Sequence, residues 1–151
     1  MKITSTAFIG QAMIPSAYTC DGVNQSPALT WTGDPKETKS FVLINDDPDA
    51  PRGEWVHWIL FNIPPGVHAL KEAFLYRNKP YPEMLAGRND FGNLEYGGPC
   101  PPSGTHRYFF KIYALDSMLA LPEGVTKNQL LQAMEGHILG KGELVGLYRR
   151  Q

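Results

Sequence analysis

Asn45–Ile63 reads NDDPDAPRGEWVHWILFNI, and the interpretation of this stretch decides the fold. Phe41–Ile44 leads into a rigid acidic turn, Asp46-Asp-Pro-Asp-Ala-Pro51, and the chain returns as an apolar run from Trp55 to Ile63. Alternation along an extended chain places Trp55, His57, Ile59 and Phe61 on one face of the return strand and Val56, Trp58, Leu60 and Asn62 on the other. Both faces are largely apolar, which predicts an interior strand covered on both sides. One imidazole, His57, interrupts the apolar stripe just after the carboxylate-rich turn.

Working outward, the strand signals are short and turn-bounded. Thirteen prolines and fifteen glycines among 151 residues favour strands and turns over long helices. Strands are expected at Lys2–Phe8, Ala28–Trp31, Ser40–Ile44, Trp55–Ile63 and Arg107–Leu115, with Glu143–Tyr148 as the last. Pro64-Pro65 ends the pairing after Ile63, because proline has no amide hydrogen to donate. Leu75–Ser103 is expected to be a long ordered loop forming a rim or lid, with Tyr76, Tyr81, Phe91 and Tyr96 as its apolar anchors. One helix is expected late in the chain. Thr126 and Gln129 form a capping box, Leu130, Leu131, Met134, His137 and Ile138 recur at helical spacing, and Gly140 suits its end. The expectation is one mostly-β domain over 1–151 with a C-terminal helix.

Composition narrows the function. The chain is 42% hydrophobic and 19% charged, which is ordinary for a globular domain. Its formal net charge of -1 gives no electrostatic case for nucleic acid or an anionic membrane surface. No apolar run is long enough to span a bilayer, so no stable membrane insertion is expected. The N-terminus lacks the apolar core of a signal peptide, and the chain reads as cytoplasmic. Cys20 and Cys100 are not in a CxxC pair and do not form a metal set. They would be free thiols in a cytoplasm or a bridge under oxidising conditions.

Three features carry chemistry: the acidic turn, His57, and Ser103-Gly-Thr-His-Arg-Tyr108 running into a strand. If the two histidine strands are neighbours, His57, His106 and Tyr108 project from one face with Asp47 beside them. Arg107 points the other way. A carboxylate beside imidazoles favours their charged form and fixes which nitrogen carries the proton. Such N–H and O–H donors, with backbone N–H groups of Gly97-Gly98, suit a small anion such as phosphate or carboxylate. Asp49, between two prolines, reads as a turn former, and His68 and His137 read as structural. Two alternatives use the same region. Two histidines and an aspartate match a mononuclear metal set, although no HxH or HxD pair ties them together. A Ser103-based hydrolase lacks the GxSxG elbow. No cofactor fingerprint is present, and no metal or catalytic residue is assigned.

These residues resemble the phosphatidylethanolamine-binding protein family, in its prokaryotic Raf-kinase-inhibitor-like branch. The likeness rests on Asp47-Pro-Asp-Ala-Pro51 followed by Trp55-Val-His57, and on Gly98-Pro-Cys-Pro-Pro102 leading to His106-Arg-Tyr108. Tyr18–Gly22, Ser26–Trp31 and Arg88–Gly92 resemble the prokaryotic branch in particular. The resemblance implies a β-sandwich with a large central sheet and a shallow anion pocket. In that pocket Asp47, His57, His106 and Tyr108 supply polar groups, Trp55 an aromatic edge and Gly98 a backbone donor. It further implies a phosphate-like ligand, inhibition of a kinase or protease as in some members, and, by analogy with prokaryotic relatives, a homodimer; a separate reading is a protein-interaction inhibitor of a kinase or protease acting through the loop 75–98. The short Arg52-Gly-Glu54 connection departs from eukaryotic members.

Overall fold

A computed structural model describes Met1–Arg150. Two antiparallel sheets face each other. The smaller has the order β1-β2-β5, from Lys2–Thr4, Leu29–Thr32 and Ala69–Leu70. The larger has the order β6-β4-β3-β7-β8. It is built from Ser40–Asp47 (β3), Trp55–Ile63 (β4), Leu85–Ala86 (β6), His106–Leu115 (β7) and Ile138–Tyr148 (β8). Among the described residues a single α-helix, Lys127–Met134 (α1), precedes the last strand. The mostly-β expectation with a late helix holds.

The large sheet is buried on both faces, which explains the near-continuous apolar runs of β3 and β4. On one face Phe41, Leu43, Trp58, Leu60, Phe110 and Ile112 pack against Ile3, Leu29, Trp31 and Leu70 of the small sheet. On the other, Val42, Ile44, Ile59 and Phe61 pack against Leu130 and Met134 of α1. Thr126 caps the helix as expected, accepting from the Gln129 N–H at 3.2 Å while the Gln129 side chain takes the Thr126 N–H at 2.9 Å.

Three sequence expectations need correction. The helix ends at Met134 rather than running to Ile138. Gly136 takes φ +79°, and His137, half-exposed and bonded to Asp116, lies in the turn before β8. The last strand therefore starts at Ile138, and its exposed Ile138 and Leu139 belong to an outer strand end, not to a helix stripe. The first strand stops at Thr4, beyond which the chain crosses toward the large sheet. There residues 11–14 run alongside β8, with Gln11 N–H donating to Val145 at 2.7 Å and Ile14 N–H to Leu147 at 2.7 Å.

The third correction concerns β4 itself. Its pairing with β3 slips between Asn45 opposite Trp58 and Asp46 opposite Val56, so His57 is an extra residue with no partner on β3. This β-bulge breaks the alternation. His57 and Trp58 both lie on the small-sheet side, while Ile59 and Phe61 join Val56 on the helix side.

Candidate functional site

Three adjacent strands of the large sheet bring the polar residues together. Asp47 ends β3, His57 sits on the β4 bulge, and His106 and Tyr108 open β7. The β3–β7 register sets Asp46 opposite Phe109, which places Asp47 beside Tyr108. With Trp55 they line a pocket of about 240 Å³, completed by Ala50, Pro51, Phe91, Cys100, Pro101 and Pro102. Asp47 (3% exposed), His57 (3%), His106 (7%) and Tyr108 (1%) are buried, so their charges act through a medium less polar than water.

Asp47 has both oxygens engaged. Its Oδ2 accepts from His106 Nδ1 at 2.7 Å, and its Oδ1 accepts the Asp49 N–H at 2.7 Å. Asp47, not Asp49, thus shapes its own turn while also orienting His106. Asp49 reaches across to Arg107, taking its N–H at 2.9 Å and its guanidinium at Nε and Nη2, both 2.9 Å. The guanidinium holds the Asp49 carboxyl down at about 2. Arg107 points away from the pocket, as its strand position predicts, and pins the acidic turn to β7.

His57 is held by a loop rather than by a strand. Its Nδ1 lies 2.6 Å from the Gly97 carbonyl, and Gly97 N–H donates back to the His57 carbonyl at 3.2 Å. A carbonyl can only accept, so Nδ1 carries the hydrogen and Nε2 is the nitrogen left to the pocket. The ring packs edge-on to Phe91 (5.4 Å between centroids) and Tyr108 (5.3 Å). Burial pushes the His57 imidazole below its usual 6.5, outweighing the opposing pull of the Gly97 carbonyl and of Asp47, Asp46 and Asp90. The expected upward shift from a neighbouring carboxylate does not win here. Burial also raises the Tyr108 hydroxyl, helped by the Asp47 and Asp49 carboxylates, so it stays an O–H. That hydroxyl is fully buried beside the Asp47 carboxylate.

Asn89 organises the loop. Its Nδ2 donates to the His57 carbonyl (3.2 Å) and the Glu95 carbonyl (2.7 Å), and its Oδ1 accepts the Phe91 and Asn93 N–H groups at 3.0 and 3.1 Å. Asp90 accepts the Val56 N–H at 2.6 Å. Together they replace the sheet edge that β6 is too short to supply beside the bulge. Phe91 then forms the pocket wall against Trp55, 5.6 Å between centroids. Trp55 (39% exposed) and Phe91 (45%) are the open rim. Tyr76, Tyr81 and Tyr96 anchor the same loop to the core as expected, whereas Phe91 faces the site.

The other wall, Pro99–Pro102, is tied to the N-terminal segment. Cys20 and Cys100 form a disulfide, so they are not free thiols, and Cys20 N–H donates to the Pro99 carbonyl at 3.1 Å. Gly98 does not offer its N–H to the pocket, because Asn24 Oδ1 takes it at 2.8 Å. A side chain there would collide with the Tyr18 carbonyl, which is why the position is glycine.

Among the described residues, no group of three or more His, Cys, Asp or Glu side chains converges as metal ligands. Behind the site, on the helix side of the sheet, buried Asp46 pairs with Lys111 (3.1 Å) and Lys127 (2.7 Å), and Lys127 also reaches Glu54. These lysines balance a carboxylate next to Asp47 without entering the pocket.

Residues 4–149 match the family model for phosphatidylethanolamine-binding protein. The chain belongs to the phosphatidylethanolamine-binding protein family. It is 53% identical to a UPF0098 protein of Methanothermobacter thermautotrophicus, over 99% of both chains. With a UPF0098 protein of Pyrococcus abyssi it shares 48% identity, over the whole of this chain and 86% of the relative. Among solved structures, CT736 from Chlamydia trachomatis, a phosphatidylethanolamine-binding protein homolog, superposes with a TM-score of 0.91 at 44% identity, covering 99% of this chain and 97% of the other. E. coli YbcL, described as a member of the mammalian family, gives 0.91 at 32% identity, covering 99% and 98%. In this phosphatidylethanolamine-binding protein family member, sequence reasoning missed Phe91 and the proline wall as parts of the pocket, and Asn89 as the residue that shapes the loop beside it. The Arg88–Gly92 stretch was the signal that could have found the first two, since a short polar run with a glycine marks a built turn.

Proposed function

We propose that the protein is a non-enzymatic module that binds a small anionic or phosphorylated group in the pocket of Asp47, His57, His106 and Tyr108. One observation carries this reading. Four buried polar side chains from three adjacent strands, Asp47, His57, His106 and Tyr108, line one pocket of about 240 Å³ behind the open aromatic rim of Trp55 and Phe91. His106, oriented by Asp47, and the open apolar rim of Trp55 and Phe91 complete a cradle for a polar head with an organic substituent. Titration of phosphate and phosphorylethanolamine by calorimetry tests the reading. Wild type should bind, and His106→Ala and His57→Ala should each bind about tenfold more weakly, as expected for one lost hydrogen bond to a charged group. No binding by wild type at millimolar ligand, or unchanged affinity in both variants, would refute it.

The molecule has no helix, among the described residues, long and apolar enough to cross a membrane. This fits a ligand met in solution or at a surface.

A further inference from the structure

We propose that the Cys20–Cys100 bond is a redox latch on the pocket wall. A dithiol reductant that enters at Cys100 frees residues 100–105 and opens the pocket, while the rest of the fold stays shut. Nothing in this device depends on what the pocket binds.

Cys100, Pro101 and Pro102 line the pocket, and the chain then runs through residues 103–105 into His106 at the head of β7. Both ends of this segment are pinned. Before it, Gly98 N–H donates to Asn24 Oδ1 at 2.8 Å and the Pro99 carbonyl accepts the Cys20 N–H at 3.1 Å. After it, Arg107 donates to Asp49 from its backbone and its guanidinium, and β7 lies between β3 and β8. Between these anchors, residues 100–105 make no hydrogen bond among the described residues. Pro101 and Pro102 have no N–H to give, and every residue of the segment except Pro101 is exposed. Apart from the packing of Pro101, the disulfide alone ties the middle of this wall to the body of the protein.

The same residues suit a wall that moves as one piece. The rings of Pro101 and Pro102 fix their φ angles, so this part swings rather than crumples. Gly104 stands just beyond, with φ +70° and no atom within 4 Å of where a side chain would begin. A glycine in open space lets the backbone rotate there at little cost.

Exposure sets the direction of the exchange. Cys100 is exposed and Cys20 half-buried, so an incoming thiolate reaches the Cys100 sulfur first. The S–S bond breaks, Cys20 leaves as a thiolate, and Cys100 carries a mixed disulfide with the reductant. The second thiol of the reductant then displaces Cys100 and closes a disulfide of its own. Two electrons pass from the dithiol to the cysteine pair, and its two protons end on Cys20 and Cys100. Exchange with an oxidised dithiol runs the same steps backward and resets the latch.

Histidine reactivity reads the position of the wall. His106 follows the wall and is 7% exposed, whereas His68 and His137 lie outside the pocket with side chains 42% and 44% exposed. Diethyl pyrocarbonate followed by peptide mapping gives the modification rate of each ring. It is applied to the oxidised protein, to protein reduced with a dithiol and desalted without air, and to the double variant Cys20→Ser/Cys100→Ser. In both forms without the bond, the His106 rate should rise at least about tenfold, as for a segment whose local opening has become easier. His68 and His137 should keep their rates, near-ultraviolet circular dichroism should be retained, and re-oxidation of the reduced protein should restore the slow His106 rate. An unchanged His106 rate would show that packing alone holds the wall, and the latch would be overturned. Loss of the near-ultraviolet signal on reduction would overturn it as well, because the bond would then hold the whole fold rather than one wall. If the double variant does not fold, the reduced and re-oxidised wild type decide by the same readings. A brief pulse of glutathione should leave its first adduct on Cys100; a first adduct on Cys20 would refute the point of entry.

Discussion

His57 gives the clearest consequence at the scale of single residues. Its folded-state pKa lies below the unfolded value of 6.5, so folding favours the neutral ring. The associated stability is complete above 6.5 and is lost as pH falls through the lowered folded value. Replacing His57 with Gln should flatten this acid-side decline, visible as a weaker dependence of the urea midpoint on pH below 6.5; a parallel decline in the variant would show that other groups cause it. Asn45 makes a second residue-level prediction. Its amide is fully buried, opposite Trp58 on one side and Phe110 on the other, and neither its Nδ2 nor its Oδ1 has a partner among the described residues. Asn45→Leu keeps the approximate shape and removes the orphan groups, and should stabilise the fold by about 1 kcal/mol by denaturant titration. A lower midpoint in Asn45→Leu would mean that the amide is satisfied in solution.

At the scale of elements, the loop from Gly87 to Gly97 does the work of a missing strand. Gly87 N–H donates to Ile59, Asp90 N–H to Val56 and Gly97 N–H to His57, along the edge of β4 that β6 leaves bare. Asn89 is the hub. Asn89→Ala should destabilise the protein by about 3 kcal/mol, because several buried backbone groups lose their partner together. It should also raise amide exchange at Gly97 and weaken phosphate binding, since His57 and Phe91 are released at once. Full stability in this variant would show that the loop holds its shape by packing alone. The contrast with the sequence reading is physical. The bounds of β4 were legible because proline and glycine punctuate both sides of a continuous apolar run. The bulge at His57 was not, because it depends on the loop bonds that take up the Val56 and His57 backbone. Asp47, His57, His106, Tyr108 and Trp55 could be nominated from residue type and strand phase. Asn89 could not, since an asparagine inside a polar loop looks like any turn former. The helix end was misjudged for a related reason. His137 and Ile138 continue the apolar period past Gly136, where the backbone has already turned.

At the scale of the whole molecule, the pocket joins distant parts of the chain. The Cys20–Cys100 bond spans 80 residues and fastens the proline wall to the N-terminal segment. Such a link restricts the unfolded chain by an amount that corresponds to about 4 kcal/mol. Reduction with a dithiol should lower the unfolding free energy on that scale, measured against the oxidised protein in the same buffer; an unchanged midpoint would mean that the bond is not formed in solution. Its pairing was not legible in the sequence, because nothing local brings residue 20 near residue 100.

Residues 11–14, lying along β8, carry a further consequence. A strand at the border of a sheet is an open template for a second chain, and long exposed borders invite polymerisation. Here the protein occupies that template with its own backbone, through Gln11, Ile14 and the Ala12 carbonyl that takes the Leu147 N–H at 2.9 Å. The opposite border is blunted by the brevity of β6. The N-terminal arm thus covers this end of the β8 border. Replacing Ala12 and Met13 with prolines, which disrupts the arm's pairing while keeping β1, should make light scattering grow with concentration relative to the unaltered chain, and an unchanged size would show that the border needs no cover.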